Sequence, residues 1–265
     1  MRHTLRGALH VLAAAALIPA GACVSLDNTS VSPNCSVVTP LTVGVTFHDA
    51  ITSSSCRLTD QTYANAYRFS VDSQAKLKVT LVSPGGPVIT WLTDSAGATV
   101  ANSYITQAPD TTATVSLILK AGTYQLVANS YSTAPTGSVS LTVAPDPSTV
   151  AGSTTVVWVS QSVATSQSVT SGDHADGPLG SKYYYHLYLR WVRAGGSLQA
   201  SVHSTAFTPG VIVASLQGGT VAISATDSTH TNATVSYATP SEDVLLLWVG
   251  ATDSLQTGAY TLTVN

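Results

Sequence analysis

The chain repeats itself at a spacing of about 121 residues. Thr136-Gly137-Ser138 lead into Leu141-Thr142-Val143, and 121 positions on Thr257-Gly258-Ala259 lead into Leu262-Thr263-Val264. Gly97, Thr99, Val100 and Ala101 match Gly218, Thr220, Val221 and Ala222 at the same offset, and Ala113-Thr114-Val115-Ser116 recurs unchanged as Ala233-Thr234-Val235-Ser236 at 120. Three matched patches in the same order argue for duplication. Solenoid units run to about 20–45 residues, so a period this long makes each copy a whole domain.

Within the first copy, hydrophobicity alternates with period two. Tyr67, Phe69 and Val71 alternate with Ala66, Arg68 and Ser70, and Leu77, Val79 and Leu81 with Lys76, Lys78 and Thr80, the pattern of half-buried strands. The segments 88–92, 115–119, 124–128 and 138–143 continue it, divided by turn formers such as Pro84-Gly85-Gly86 and Ala96-Gly97. Many short strands with turns between them predict an all-β chain of two tandem antiparallel β-sandwich domains, jelly-roll-like. Pro145 and Pro147 interrupt the pattern, and prolines that close together stiffen the chain and remove ladder donors. The expected layout is a signal peptide over 1–22, a polar tether over 23–36, a first sandwich over 37–144, a Pro-rich linker over 145–152 and a second sandwich over 153–265.

The N-terminus fixes the compartment. Arg2 and Arg6 precede an apolar run from Ala8 to Ile18, then Pro19 and the small residues Ala20-Gly21-Ala22, which is the order of a secretory signal peptide. The run falls short of the roughly 20 apolar residues that span a bilayer. Ala20-Gly21-Ala22-Cys23 resembles the lipobox of bacterial lipoproteins, with Ala20 where that family carries a branched aliphatic residue. The resemblance implies acylation of Cys23; ordinary signal-peptidase cleavage after Ala22 is the alternative. Acylation leaves Cys35 and Cys56 as an even pair in an oxidising compartment. A disulfide across a loop of this size contributes roughly 3 kcal/mol, and two buried thiols are the other reading.

Loss of Arg2 and Arg6 leaves a mature chain with 8 basic and 13 acidic residues, near −5. With no basic stripe to release counterions from phosphate, nucleic acid is excluded as a partner. Charged residues make up 9% of the chain, about a third of the usual share, so its polar surface is built from Ser, Thr, Asn and Gln. That leaves sheet edges short of the Lys and Glu that discourage edge pairing.

Catalytic motifs are missing. The only glutamate is Glu242, with no histidine beside it, and the sequence holds no His-Glu-x-x-His, no Gly-x-Ser-x-Gly, no phosphate-binding glycine loop and no Cys-x-x-Cys. Asp173, His174 and Asp176 cluster tightly enough to offer oxygens and an imidazole to a cation such as calcium, at a spacing that fits neither an EF-hand nor a zinc site; a solvated turn-rich loop explains them equally. His48, His186, His203 and His230 read as strand or surface residues.

The strongest binding signal is aromatic. On a strand, Tyr183, Tyr185, Leu187, Leu189 and Trp191 share one face and Tyr184, His186, Tyr188 and Arg190 the other. With the first set in the core, the second forms an outward platform, joined by Leu246 and Trp248 opposite a core set of Leu245, Leu247 and Val249. Sugar rings stack on such platforms. The alternative is that this face packs against the first module or a long loop.

The string Tyr67-Arg68-Phe69-Ser70-Val71, the turn Asp94-Ser95-Ala96-Gly97 and Ala121-Gly122-Thr123-Tyr124-Gln125-Leu126 with the segment 137–143 resemble the bacterial pre-peptidase C-terminal domain. The second copy resembles it through Leu198, Gly218 and the segment 257–264, with Pro240-Ser241-Glu242-Asp243 in place of the Ala-Gly-Thr-Tyr turn. The resemblance implies a jelly-roll-like sandwich, accessory to exported proteins, with no shared catalytic residues. The expectation is therefore a non-catalytic binding or structural module, without cofactor, at the bacterial cell envelope. A lipid anchor would hold it to the outer membrane or cell surface, since Val24 lacks the Asp of inner-membrane retention; simple secretion is the alternative. A carbohydrate-binding protein acting on polysaccharide, a module for an envelope protein, and a hydrolase built on Asp173, His174 or Asp176 are the competing readings.

Overall fold

The structure, a computed structural model, describes residues 36–105, 111–147, 156–173, 183–216 and 218–265. It divides into two compact units that meet in sequence at Pro147 and Ser148. Cys23, Cys35, His174 and Asp176 lie outside the described residues.

The first unit holds β1 (Val38–Pro40), β2 (Thr46–Ile51), β3 (Cys56–Arg57), β4 (Tyr63–Val71), β5 (Ala75–Val82), β6 (Val88–Asp94), β7 (Thr99–Ile105), β8 (Thr112–Leu119), β9 (Gly122–Ser130) and β10 (Gly137–Pro145). One sheet runs β1-β4-β9-β6-β7, with β3 beside β4, and the other β8-β5-β10-β2. The alternation read from the sequence sets which side chains face inward: Tyr67, Phe69, Val71, Leu77, Val79 and Leu81 are all buried. Phe69 stacks on Tyr124 at 5.8 Å, and Phe47 of β2 meets Tyr67 of β4 edge-on across the two sheets.

The second unit repeats this plan with β11 (Val156–Val159), β12 (Val163–Val169), β13 (Tyr185–Val192), β14 (Ser197–His203), β15 (Pro209–Ser215), β16 (Gly219–Ile223), β17 (Ala225–Thr226), β18 (Asn232–Ala238), β19 (Asp243–Ala251) and β20 (Gly258–Val264). Its sheets run β11-β13-β19-β15-β16 and β12-β20-β14-β18-β17. Apart from the short β3 and β17, each strand of one unit has a counterpart in the same place in the other. The duplication seen in sequence is thus a duplication of topology.

Two features depart from a purely antiparallel reading. β1 lies parallel to β4 and β11 parallel to β13. In each unit the chain visits the opposite sheet between those two strands, and such a crossover connection is what permits a parallel pair. β10 also runs on through Pro145, opposite Leu77. The ladder survives because the next bond is donated by the Asp146 amide to the Lys76 carbonyl (3.0 Å), where Asp146 also pairs with the Lys76 ammonium (3.3 Å).

The repeated Thr-Gly step has a backbone cause. Gly137 and Gly258 open β10 and β20 with φ of +79° and +141°, the left-handed side that side chains with a Cβ avoid. Both turn the chain into the last strand of their unit.

Candidate functional site

The two strands expected to carry the platform, β13 and β19, pair in register: Tyr188 with Leu247, His186 with Val249, Leu189 with Leu246 and Leu187 with Trp248. Cross-strand partners share a face. Leu245, Leu247 and Val249 point into the core as expected, being 0% exposed, and they bring Tyr188 and His186 in with them. The expected orientation of β13 is therefore reversed. Tyr188 is 0% and His186 1% exposed, so neither stands on an outward platform. Arg190, on the same face, and Tyr184, just ahead of the strand, are half-buried.

The inward residues are polar because they have one another. His186 Nδ1 lies 2.6 Å from the Tyr260 hydroxyl, which lies 2.6 Å from the Tyr188 hydroxyl. On its other side His186 Nε2 is 3.2 Å from Asp173 Oδ2, both side chains being sealed from solvent. The Thr170 amide and hydroxyl donate to the same carboxylate oxygen at 2.6 and 3.0 Å. Tyr260 comes from β20 and His186 and Tyr188 from β13, so the chain of contacts crosses between the two sheets. One arrangement satisfies the two short contacts: Tyr188 donates to Tyr260 and Tyr260 to Nδ1, while Nε2 faces the Asp173 carboxylate. Burial pushes both hydroxyls well above the usual tyrosine range; for Tyr260 the neighbouring Tyr188 and Asp173 add to it.

The first unit has a smaller cluster in the matching place. Asn65 and Tyr67, each 121 positions before His186 and Tyr188, both donate to Asp49 Oδ2 of β2, at 2.9 and 2.8 Å. Burial and the adjacent Asp49 raise the Tyr67 hydroxyl as well. Tyr260 is the residue the sequence reading missed. Its counterpart 121 positions earlier is Val139, and the appearance of a hydroxyl at a core position of one copy, opposite an Asn-to-His change, was the available signal.

Asp173 is buried against His186, and the rest of the candidate cation cluster, His174 and Asp176, lies outside the described residues. Among the described residues no group of three His, Cys, Asp or Glu side chains is placed to hold a metal ion. Cys56 is half-buried in β3.

With Tyr188 turned inward, the outer face of the β11-β13-β19-β15-β16 sheet carries Leu187, Leu189, Trp191, Leu246 and Trp248. Leu246 is 3% exposed, and Leu187, Leu189, Trp191 and Trp248 are half-buried. Trp158 stacks on Trp191 at 6.3 Å with the rings 24° apart, and the Trp191 indole donates to Glu242 Oε1 at 2.7 Å. The outer face of the other sheet, β12-β20-β14-β18-β17, is the opposite in character. Ser166, Thr261, Thr263, Ser201, Thr234 and Ser236 lie on it, and a shallow groove of about 240 Å³ opens over the paired strands β14 and β18.

No family model matches the chain, and no curated protein does. Among solved structures, the pre-peptidase C-terminal domain of a collagenase from Bacillus anthracis is 16% identical, covers 40% of this chain and 94% of its own, and superposes with a TM-score of 0.34. The PBSX exported protein XepA is 11% identical over 86% of this chain and 89% of its own, at 0.27. The tandem CBM22-1-CBM22-2 domains of Xyn10C from Paenibacillus barcinonensis are 12% identical over 84% and 91%, at 0.22. At these values no function passes from any of them to this chain.

Proposed function

We propose that this chain is a non-catalytic binding module, exported and held at the bacterial cell envelope by acyl groups on Cys23. The observation that carries the reading is the sealing of Asp173, His186, Tyr188 and Tyr260, each at most 4% exposed. This acid–base cluster has the composition of a catalytic relay and the position of a core. A substrate has no access to it, and a relay acts only on groups within hydrogen-bond reach. The same burial weighs against a hydrolase built on Asp173. The resemblance of the first copy to pre-peptidase C-terminal domains fits an accessory role, with Cys35 and Cys56 as a disulfide near the tether.

The test is turnover of ester, peptide and glycoside panels by the full chain and by its His186→Asn variant. The expected result is no turnover above blank from either protein, with H186N lowering the melting temperature. Turnover by the wild type that disappears in a folded H186N protein overturns the reading. Carbohydrate binding on aromatics remains a second reading, supported by the Trp158–Trp191 stack and the half-buried Trp248; its Tyr188 component is withdrawn by burial.

A further inference from the structure

We infer that the shallow groove on the outer face over β14 and β18 is a subsite for a neutral, hydroxyl-rich polysaccharide chain. The inference rests on the binding-module reading and places the ligand on the hydroxyl face, away from the aromatic one.

The face is built of cross-strand rows, and one row is kept in both copies. In the first unit Thr46, Thr142, Thr80 and Thr114 sit side by side across β2-β10-β5-β8. In the second, Ala164, Thr263, Ser201 and Thr234 do so across β12-β20-β14-β18. Thr142, Thr80 and Thr114 correspond to Thr263, Ser201 and Thr234 at offsets of 121, 121 and 120. Strand geometry sets such hydroxyls about 4.8 Å apart across the sheet and about 6.7 Å apart along each strand.

The groove lies on this row. Gln199, Ser201, Thr234, Ser236 and Asn265 supply its polar lining around about 240 Å³. The neighbouring row is satisfied internally, through Ser166 with Thr261 at 3.2 Å and His203 with Asn232 at 2.9 Å. The side chains of Gln199, Ser201, Thr234 and Ser236 make no such bond among the described residues.

The chemistry of the lining selects the occupant. Each hydroxyl both donates and accepts, which suits a ligand whose own groups do the same. No charged side chain lines the groove, so a charged polymer would lie there without a counterion. It has none of the buried aromatic or arginine anchors on which protein partners depend. The space is smaller than the roughly 300–1,000 Å³ of enclosed small-molecule pockets, and fits a short stretch of an open chain. A few neutral hydrogen bonds give an affinity on the order of 1 mM per groove, so the probe has to be a polymer offering many sites.

The experiment is depletion of the full chain from solution by insoluble cellulose, chitin and peptidoglycan sacculi. Ser201→Lys combined with Thr234→Lys fills the groove with charge, and Ser168→Lys is the control on the same sheet. Retention of the wild type and S168K on at least one polymer, reduced at least tenfold in the double variant, is the expected result. Thr234→Val removes one hydroxyl while favouring the strand; it should weaken retention a few-fold at unchanged melting temperature, and it decides the matter if the double variant does not fold. Wild-type retention on none of the polymers overturns this inference alone, because the turnover panel separately tests the non-catalytic reading on which it rests. Retention unchanged in a folded double variant, or in T234V if the double variant does not fold, overturns it equally.

Discussion

Tyr260 is the residue on which the core of the second unit turns. Its hydroxyl meets both His186 and Tyr188, so Tyr260→Phe strips a partner from each, whereas Tyr188→Phe removes only the outer end of the chain. Leaving a buried polar group unpaired costs about 1–3 kcal/mol. Urea denaturation should therefore show Y260F destabilised by roughly that much and Y188F by less. The same burial makes the fold sensitive to alkali. Tyrosines ionise near pH 10 in the unfolded chain, while Tyr67, Tyr188 and Tyr260 ionise higher in the folded one. Their contribution is complete below about pH 10 and is lost as pH rises toward the folded values, at about 1.4 kcal/mol per pH unit for each tyrosine. Melting followed from pH 8 to 12 should fall beyond 10, less steeply in Y188F. Hydrophobicity alone chose the wrong face of β13 at this scale, because Leu187, Leu189 and Trp191 look more like core than His186, Tyr188 and Arg190. A polar side chain enters a core once its partners are there, and the decisive one, Tyr260 on β20, lies 74 residues from His186.

At the scale of the element, the strands themselves were legible. Period-two alternation locates β4, β5, β9 and β10, and it assigns Tyr67, Phe69 and Val71 to the core correctly. The parallel placing of β1 and β11 was not legible. Strands of three and four residues carry too little pattern, and their partner lies two or more elements away. The repeated Thr-Gly step was visible as a motif, and its cause emerges only from the backbone. A Cβ at Gly137 meets nothing within 4 Å, whereas one at Gly258 collides with the Ala206 Cβ. Both alanine variants pay for left-handed backbone, about 1–2 kcal/mol. Gly258→Ala should lose more stability than Gly137→Ala in thermal melts, and equal losses would mean that the β14–β15 loop yields freely.

For the whole molecule, the order of strands was foreseeable from the duplication once one copy was understood, since the second unit reproduces the sheets of the first. Its chemistry was less so, because the copies diverge where polar groups enter the core: Asn65 against His186, Val139 against Tyr260. The anchor and the disulfide belong to this scale as well. Protein taken from the envelope fraction should have a mass raised by acyl chains on Cys23, with Cys35 and Cys56 closed to iodoacetamide until reduced. Cys23→Ala should move the chain to the soluble fraction; an unmodified Cys23 in envelope material would remove the lipid anchor from the account.

The position of β10 and β20 bears on how each sheet is completed. β20 lies between β12 and β14, as β10 lies between β2 and β5. In each unit, therefore, the last strand of that unit fills the middle of its sheet, and β12, unlike β14 with its ladder to β18, has no partner strand until Gly258–Val264 is in place. Without that strand the sheet is in two pieces, β12 on one side and β14-β18-β17 on the other. The two halves of the sheet become one only when that strand slides between them, so the order in which the ladders form is written into the order of the strands.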